Sequence, residues 1–390
     1  MKNNINIYEI MERLEAVLSP YPHPLMLHEP CFEGNEWEYT KQCLDSGWVS
    51  SAGKYVEKFE QHLADFTGVK QAVALVNGTA ALHLSLLLAG VKAGEEVLLP
   101  ALTFIATANA VSYIKAVPHF VDSSEYSLGL DSEKLSLYLQ EMAHLKAQGS
   151  FNKYTGRRIS ALIVMHTFGH PVDLDPLLDL CEKYQMILIE DAAEALGSYY
   201  KGKHVGHGGL LSTLSFNGNK IITTGGGGAI LSNDSEMAAR ARHLSTQAKV
   251  PHPWAFNHDQ IGFNYRMPNL NAALGCAQLE QLPRFIEKKR LLAQRYQLAF
   301  SSLAGIKIFQ EADYATSNYW LNVLLLDEEY SKERDRLLEL THQQGIMTRP
   351  AWTLMHKLPM YKDCPRMDLS TAESLERRII NLPSSAFLVQ

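Results

Sequence analysis

The chain has few cysteines, no surplus of positive charge and no long apolar run. Its 390 residues include five cysteines, Cys31, Cys43, Cys181, Cys276 and Cys364. They are odd in number, widely spread and without a CxxC pair, so neither a disulfide framework nor a zinc site is supported, and no metal is expected. Lys and Arg number 36 against 42 Asp and Glu, for a formal charge of −6. That balance gives no electrostatic footprint for nucleic acid or for an anionic membrane surface, and neither partner is expected. No run approaches the length of a membrane span, and the start, Met1-Lys-Asn-Asn-Ile-Asn-Ile, has no apolar signal core, so a cytoplasmic protein is expected. The GxxxxGK[ST] phosphate loop is missing, as are internal repeats and low-complexity segments. A phosphorylated ligand must therefore meet local donors.

What is present suffices for more than one core, since 46% of the residues are hydrophobic. Helical periods at 7–18, 35–46, 56–67, 80–89, 103–113, 132–147 and 176–184 are interleaved with apolar strand-like runs at 71–76, 96–99, 118–121, 161–165 and a run ending at Asp191. A Pro-rich arm through Pro20, Pro22, Pro24 and Pro30 follows the first helix and suits packing on a partner subunit. Alternation of this kind predicts βαβ units and a mostly parallel sheet covered on both faces. The polar segment 148–158 reads as a surface loop, and an Ala-rich helix is expected after Asp191. A long helix over 269–301 leads to a last stretch of changed character, with strands near 320–326 and 346–349 and helices near 331–344 and 369–380. The division expected is an N-terminal helix and arm over 1–30, a large domain over 31–268, and a linking helix with a small α+β domain over 269–390.

The stretch richest in chemistry is Thr213-Leu-Ser-Phe-Asn-Gly-Asn-Lys220, followed by Ile221-Ile-Thr-Thr and Gly225-Gly-Gly-Gly228. A short strand there delivers a hydroxyl at Ser215, an amine at Lys220 that can form an imine, and glycines that permit close backbone approach. An aldehyde cofactor carrying a phosphate needs that set, although a surface lysine beside an ordinary Gly-rich turn fits this stretch alone equally well. Upstream, Ile187-Leu-Ile-Glu-Asp191 places a carboxylate just past the end of an apolar strand, where open α/β sheets bind ligands. Asp191 can keep a pyridine nitrogen protonated, can N-cap the following segment, or both. Earlier still, Asn77-Gly-Thr-Ala80 joins a strand to a helix, which aims the N–H groups of Gly78, Thr79 and Ala80 at an anion such as a cofactor phosphate. A tight turn with a capping threonine is the competing reading.

These motifs, together with Pro100-Ala-Leu-Thr-Phe-Ile-Ala-Thr-Ala-Asn109, Gly262-Phe-Asn-Tyr-Arg-Met267 and Asn381-Leu-Pro383, resemble in order and spacing the nucleotide-sugar aminotransferases of the DegT/StrS type. The resemblance implies an α/β protein of the aspartate aminotransferase-like fold type I, with a large mixed, mostly parallel sheet domain and a small α+β C-terminal domain. It implies pyridoxal 5′-phosphate as cofactor and a homodimer. It makes Lys220 and Asp191 the catalytic pair, with Gly78, Thr79, Ala80, Phe104, Glu194, Ser215 and Asn264 also touching the cofactor. Phe104 would stack on its ring, and Asn264 would reach across from the second subunit. Trp48-Val-Ser-Ser51 and Arg349-Pro-Ala-Trp-Thr-Leu-Met-His356 look most like the branch serving legionaminic-type acids. This gives Trp48, Ser50, Arg349, Trp352 and His356 as substrate-binding residues. The expected reaction moves an amino group from an amino acid, L-glutamate by resemblance, to the 4-keto carbon of a nucleotide-linked 4-keto-6-deoxy-N-acetylhexosamine. Two departures stand out. Glu194 occupies a position where many relatives carry Gln or His, and Gly209 one where many carry an acid. The alternatives are a 3-keto aminotransferase, a sugar dehydratase, which would typically replace the lysine by histidine, and a non-catalytic cofactor-binding regulator.

Overall fold

Apolar runs too short for helices and bounded by turns have one way to satisfy their backbones when buried, which is to pair with one another. In the computed structural model, which describes residues 5–389, they form a single large sheet. Across it the strands run Gln71–Leu75, Gly228–Ser232, Leu211–Ser215, Ile187–Asp191, Arg158–Met165, Glu96–Pro100 and Val117–Val121. Along this path only Gly228–Ser232 is reversed, pairing antiparallel with the strands on both sides of it, while the other pairings are parallel. Strand interiors are almost wholly buried, as a sheet covered on both faces requires. Helices Lys54–Thr67, Gly78–Leu88, Ile105–Tyr113, Leu174–Lys183 and Ser235–Ser245 supply the cover. The carboxyl ends of the parallel strands therefore bring Asn77, Ser215, Asp191 and Met165 to one edge.

Three local expectations are corrected. The helix expected over 132–147 ends at Met142, and the chain turns into a hairpin of Ala143–Lys146 with Gly149–Asn152. The second of these strands pairs with Arg158–Met165, and Ser150 Oγ donates to the Tyr184 carbonyl at 2.6 Å, so the polar segment 148–158 is partly a sheet edge and not a surface loop. After Asp191 no helix forms. The segment makes a series of turns, and Asp191 Oδ1 accepts from Ala193 N at 3.2 Å, a side-chain-capped turn in place of a helix cap.

The long helix Asn269–Phe300, about 48 Å at 1.5 Å per residue, packs near its start on helices Glu36–Ser46 and Lys54–Thr67 and near its end on helix Ile7–Leu18. A four-stranded antiparallel sheet follows, ordered Ile306–Ile308, Asn322–Leu326, Ile379–Leu382, Arg349–Pro350, with helices Arg334–Gln343 and Ser370–Arg378. The N-terminal arm stitches to this part of its own chain. Leu25 donates to the Gly345 carbonyl and accepts from Met347 N, both at 2.8 Å. The first helix buries Ile7, Ile10, Met11 and Leu14 against Leu292, Tyr296 and Phe300. No helix among the described residues is long and apolar enough to cross a membrane.

Candidate active site

A cavity of about 240 Å³ opens on the carboxyl edge of the large sheet. At one end Asn77 caps the helix Gly78–Leu88, its Oδ1 accepting from Ala80 N at 2.7 Å. That bond corrects the expectation for Ala80, whose N–H is already used, and leaves the N–H groups of Gly78 and Thr79 as the helix-start donors. A Cβ on Gly78 would lie 3.0 Å from Ser215 Cβ, so a glycine there lets the Ser215 hydroxyl stand against the helix start. A Cβ on Gly228 would come within 2.4 Å of the Asn77 carbonyl carbon, so the glycine run after the lysine permits the same close packing from the other side. Thr79 and Ser215 both line the cavity.

At the other end lies Asp191, buried, with Oδ2 accepting from Thr107 Oγ1 at 2.7 Å. Thr107 in turn lies 2.9 Å from Thr103 Oγ1. Burial raises the Asp191 carboxyl above its ordinary range, against the lowering effect of Thr107, the Ala193 N–H and the more distant Lys220 and His166. Behind it, Glu190 points to the opposite face. It pairs with His166 at 3.1 Å and accepts from the N–H groups of Gly206, Gly208 and Gly209. Burial opposes ionisation of Glu190, but His166 and those N–H groups outweigh it and hold the carboxyl below its usual value. Gly209 thus serves through its backbone, where a side chain would meet Leu188 O at 2.9 Å.

Between the two ends stands Lys220. After strand Leu211–Ser215 the chain turns, with Lys220 N donating to Asn217 O at 3.0 Å, and the side chain projects into the cavity. Its Nζ lies 3.3 Å from Glu194 Oε1 and 4.0 Å from the centre of the Trp320 ring. Trp320 is fixed in turn, its Nε1 donating to Asn219 O at 2.7 Å. The other oxygen of Glu194 accepts from Phe168 N at 2.9 Å. Burial pushes the Glu194 carboxyl up to about 7, with Lys220 and the Phe168 N–H pulling it down and Asp191 adding to the rise.

Of the residues singled out from sequence, the fold brings Gly78, Thr79, Phe104, Asp191, Glu194, Ser215, Lys220 and Trp352 to this one cavity. Phe104 and Trp352 meet edge to face at 6.1 Å at its wall, and Phe168 lies 4.8 Å beyond Trp352. Five residues lie elsewhere in the chain. Trp48 lines a separate cavity with Tyr55 and Asn269, and the carbonyl of exposed Ser50 accepts from Asn269 N. Arg349 is exposed beside His342 and Pro350, His356 pairs with Glu373 at 3.1 Å, and Asn264 is exposed on a segment bridged to Thr246. Thr107, Trp320, Asn217 and Asn219 were not identified from sequence. For Thr107 a signal exists in its four-residue spacing from Thr103, which lies in the bend between a strand and the helix that carries Thr107. For Trp320 none does.

Residues 30–389 match the DegT/DnrJ/EryC1/StrS aminotransferase family. The chain belongs to that family. GDP-perosamine synthase of Escherichia coli O157:H7 is 39% identical over 358 residues, covering 92% of each chain. A putative pyridoxal phosphate-dependent aminotransferase, EpsN, of Bacillus subtilis is 38% identical over 370 residues, 94% of this chain and 92% of that one. Among solved structures, Helicobacter pylori PseC, an aminotransferase involved in the biosynthesis of pseudoaminic acid, superposes with a TM-score of 0.84 at 25% identity, covering 93% of this chain and 94% of that one. As a member of this family the protein is a pyridoxal-phosphate-dependent sugar aminotransferase, acting on a nucleotide-linked sugar.

The cavity fits that cofactor at each of its three polar points. A helix start with two adjacent hydroxyls suits a phosphate, and an amine with a side chain only 11% exposed suits an aldehyde. A buried carboxylate that forms no ion pair among the described residues suits a protonated ring nitrogen.

Proposed function

We propose that this aminotransferase moves an amino group from L-glutamate to the 4-keto carbon of a nucleotide-linked 4-keto-6-deoxy-N-acetylhexosamine, in the branch leading to legionaminic-type nonulosonic acids. The observation that carries the reaction class is the convergence of Lys220, Asp191 and a helix-start anion site on one cavity within a chain that matches the family over residues 30–389. The motifs around Trp48 and Trp352 support the sugar, and Trp352 stands at the cavity wall with Phe104, an apolar surface suited to a deoxy sugar face. The large domain 31–268 supplies the cofactor site in this reading, and the part after 269 closes it through Trp320 and Trp352. We place the reaction in the cytoplasm, where the five free cysteines stay reduced.

In this reading Lys220 carries the cofactor, whose ring supplies an electron sink when bound. The Gly78 and Thr79 N–H groups and the Thr79 and Ser215 hydroxyls hold the phosphate. Asp191, whose carboxyl accepts from Thr107 and the Ala193 N–H, would hold a proton on the ring nitrogen. Phe104 would offer an apolar face to the bound ring, and the Lys220 amine would serve as the group that takes up and returns protons at the reacting carbon. Two subunits complete the site, with Asn264 of each chain serving the other.

A second reading has a specific support. The 39% identity to a GDP-perosamine synthase favours the same chemistry on a GDP-linked sugar. One assay separates the two. Purified protein loaded with pyridoxal 5′-phosphate and given L-glutamate is offered nucleotide-linked 4-keto-6-deoxy-N-acetylhexosamine, a GDP-linked 4-keto-6-deoxyhexose and a 3-keto sugar, with amination read by mass. The N-acetylated 4-keto sugar is expected to have the highest kcat/KM. Preference for the GDP-linked sugar selects the second reading, and preference for the 3-keto sugar refutes both.

A further inference from the structure

Two carboxyl groups, Asp191 and Glu194, are buried at the cavity, and one amine, Lys220, faces them. Only Glu194 touches it. Asp191 spends its oxygens on Thr107 and the Ala193 N–H, whereas Glu194 places Oε1 3.3 Å from Lys220 Nζ. The remaining oxygen of Glu194 is held by a residue in an unusual state. Phe168 has φ 56° and ψ 17°, a left-handed conformation that costs an ordinary L-residue roughly 1–2 kcal/mol. The conformation is enforced from outside: at Gly169 (φ +96°) a Cβ would sit 2.0 Å from Asn318 Oδ1, and Asn318 Nδ2 donates to the Glu194 and Leu196 carbonyls at 3.0 and 2.9 Å. Phe168 further packs on Trp352. The backbone strain is thus held by the packing of 168–169 against 318, and its product is a fixed carboxyl on the reactive amine.

An ammonium has no lone pair to attack a carbonyl carbon, so Lys220 must lose a proton before it can form a bond and must regain one to leave. We propose that Glu194 is a catalytic proton acceptor and donor for Lys220. In the forward step an N–H bond of the ammonium breaks, an O–H bond forms on Glu194, and an ammonium–carboxylate pair becomes an amine and a neutral acid. On release of the lysine the proton returns. The exchange removes two opposite charges from a site where both side chains are largely buried, which a low-dielectric surrounding favours. Burial of Glu194 keeps its affinity for protons in the working range, and the charged groups that face it are Lys220 and Asp191. This inference rests on the aminotransferase activity and not on which sugar is used.

The test uses cofactor-free protein and pyridoxal 5′-phosphate as the probe, so it does not depend on turnover. Capture is followed by absorbance from acidic to alkaline pH, alongside reductive methylation of Lys220 by formaldehyde, read on its peptide. Glu194→Gln retains an acceptor for the Phe168 N–H but cannot take a proton, and Glu194→Asp retains the acid but shortens its reach. Wild-type capture is expected to rise through neutral pH and to exceed that of Glu194→Gln by about 100-fold near pH 7, the low end for a positioned acid–base group. The gap should narrow at alkaline pH, where hydroxide can take the proton in place of Glu194, and Glu194→Asp should fall between. A pH-independent deficit in Glu194→Gln, or profiles identical to wild type, overturns the proposal. If the glutamine variant does not fold, the wild-type profile decides alone: the absence of an inflection near pH 7, where Glu194 titrates, in both capture and methylation refutes it.

Discussion

Asp191 depends on Thr107 in a way that pH can expose. The carboxylate is buried and already raised in pKa by that burial, and Thr107 Oγ1 at 2.7 Å is one of the donors that oppose the rise. Thr107→Val keeps the shape of the side chain and removes the hydroxyl, which leaves a buried carboxylate oxygen without that donor at a cost of about 1–3 kcal/mol. Removing a bond to the charged form raises the pKa further. Since Asp191 must be ionised to hold a ring proton, the acid limb of kcat/KM should move to higher pH in Thr107→Val, with the alkaline limb unchanged. An acid limb in the wild-type position would separate Thr107 from the state of Asp191. That Asp191 ends a strand at the sheet's carboxyl edge was readable from sequence, because strand-end position and residue type are local properties. Its hydroxyl partner, 84 positions away, was not.

Among the elements, the long helix Asn269–Phe300 holds a residue that contradicts its own pattern. Phe285, Leu292 and Tyr296 lie on a buried stripe, and the position between them at the same spacing is Lys289, which is fully buried. Its Nζ donates to Trp320 O at 3.0 Å and also to Ser384 O. The amine thereby ties the bend that carries Trp320, just before strand Asn322–Leu326, to the segment after strand Ile379–Leu382, and steadies the indole lying over Lys220. Burial holds the Lys289 pKa well below its ordinary value. A base whose folded pKa is depressed contributes stability that is complete above its unfolded pKa, near 10.4, and is lost as pH falls toward the folded one. Urea unfolding of the wild type and Lys289→Met should therefore show the wild type gaining on the variant between pH 7.5 and pH 9.5. An unchanged gap would mean that this amine stays charged in the fold. Helix and strand existence followed from apolar period here and elsewhere. The hairpin 143–152 and the turns after Asp191 did not: the hairpin is anchored at the sheet edge by Ser150 on the Tyr184 carbonyl, 34 positions away, and Asp191 caps a tight turn two residues on in place of a helix.

In the whole molecule, Trp254, Phe256 and Ile261 are 80%, 78% and 87% exposed on the segment that leads to Asn264, a concentration of apolar side chains that a second copy would cover. Asn264 itself does not reach the cavity of its own chain. If each chain lends Asn264 to the other, a Lys220→Ala chain mixed with an Asn264→Ala chain gives heterodimers with one intact site. An equal mixture should recover about a quarter of wild-type activity, since half the dimers are mixed and each has one working site of two. No recovery, once subunit exchange and the impairment of each parent are established, would make the sites self-contained. By itself the sequence determined the sheet-forming runs and where the lysine, the acid and the strand-to-helix turn at Asn77 fall along the chain, because each is a property of a few consecutive residues. Only the tertiary structure decided that Trp320 lies over Lys220, that a left-handed Phe168 aims its N–H at Glu194, and that Arg349 and His356 face away from the cavity. Those contacts depend on strand order in the sheet and on where the last part of the chain packs, and neither leaves a periodic trace in the residues that meet.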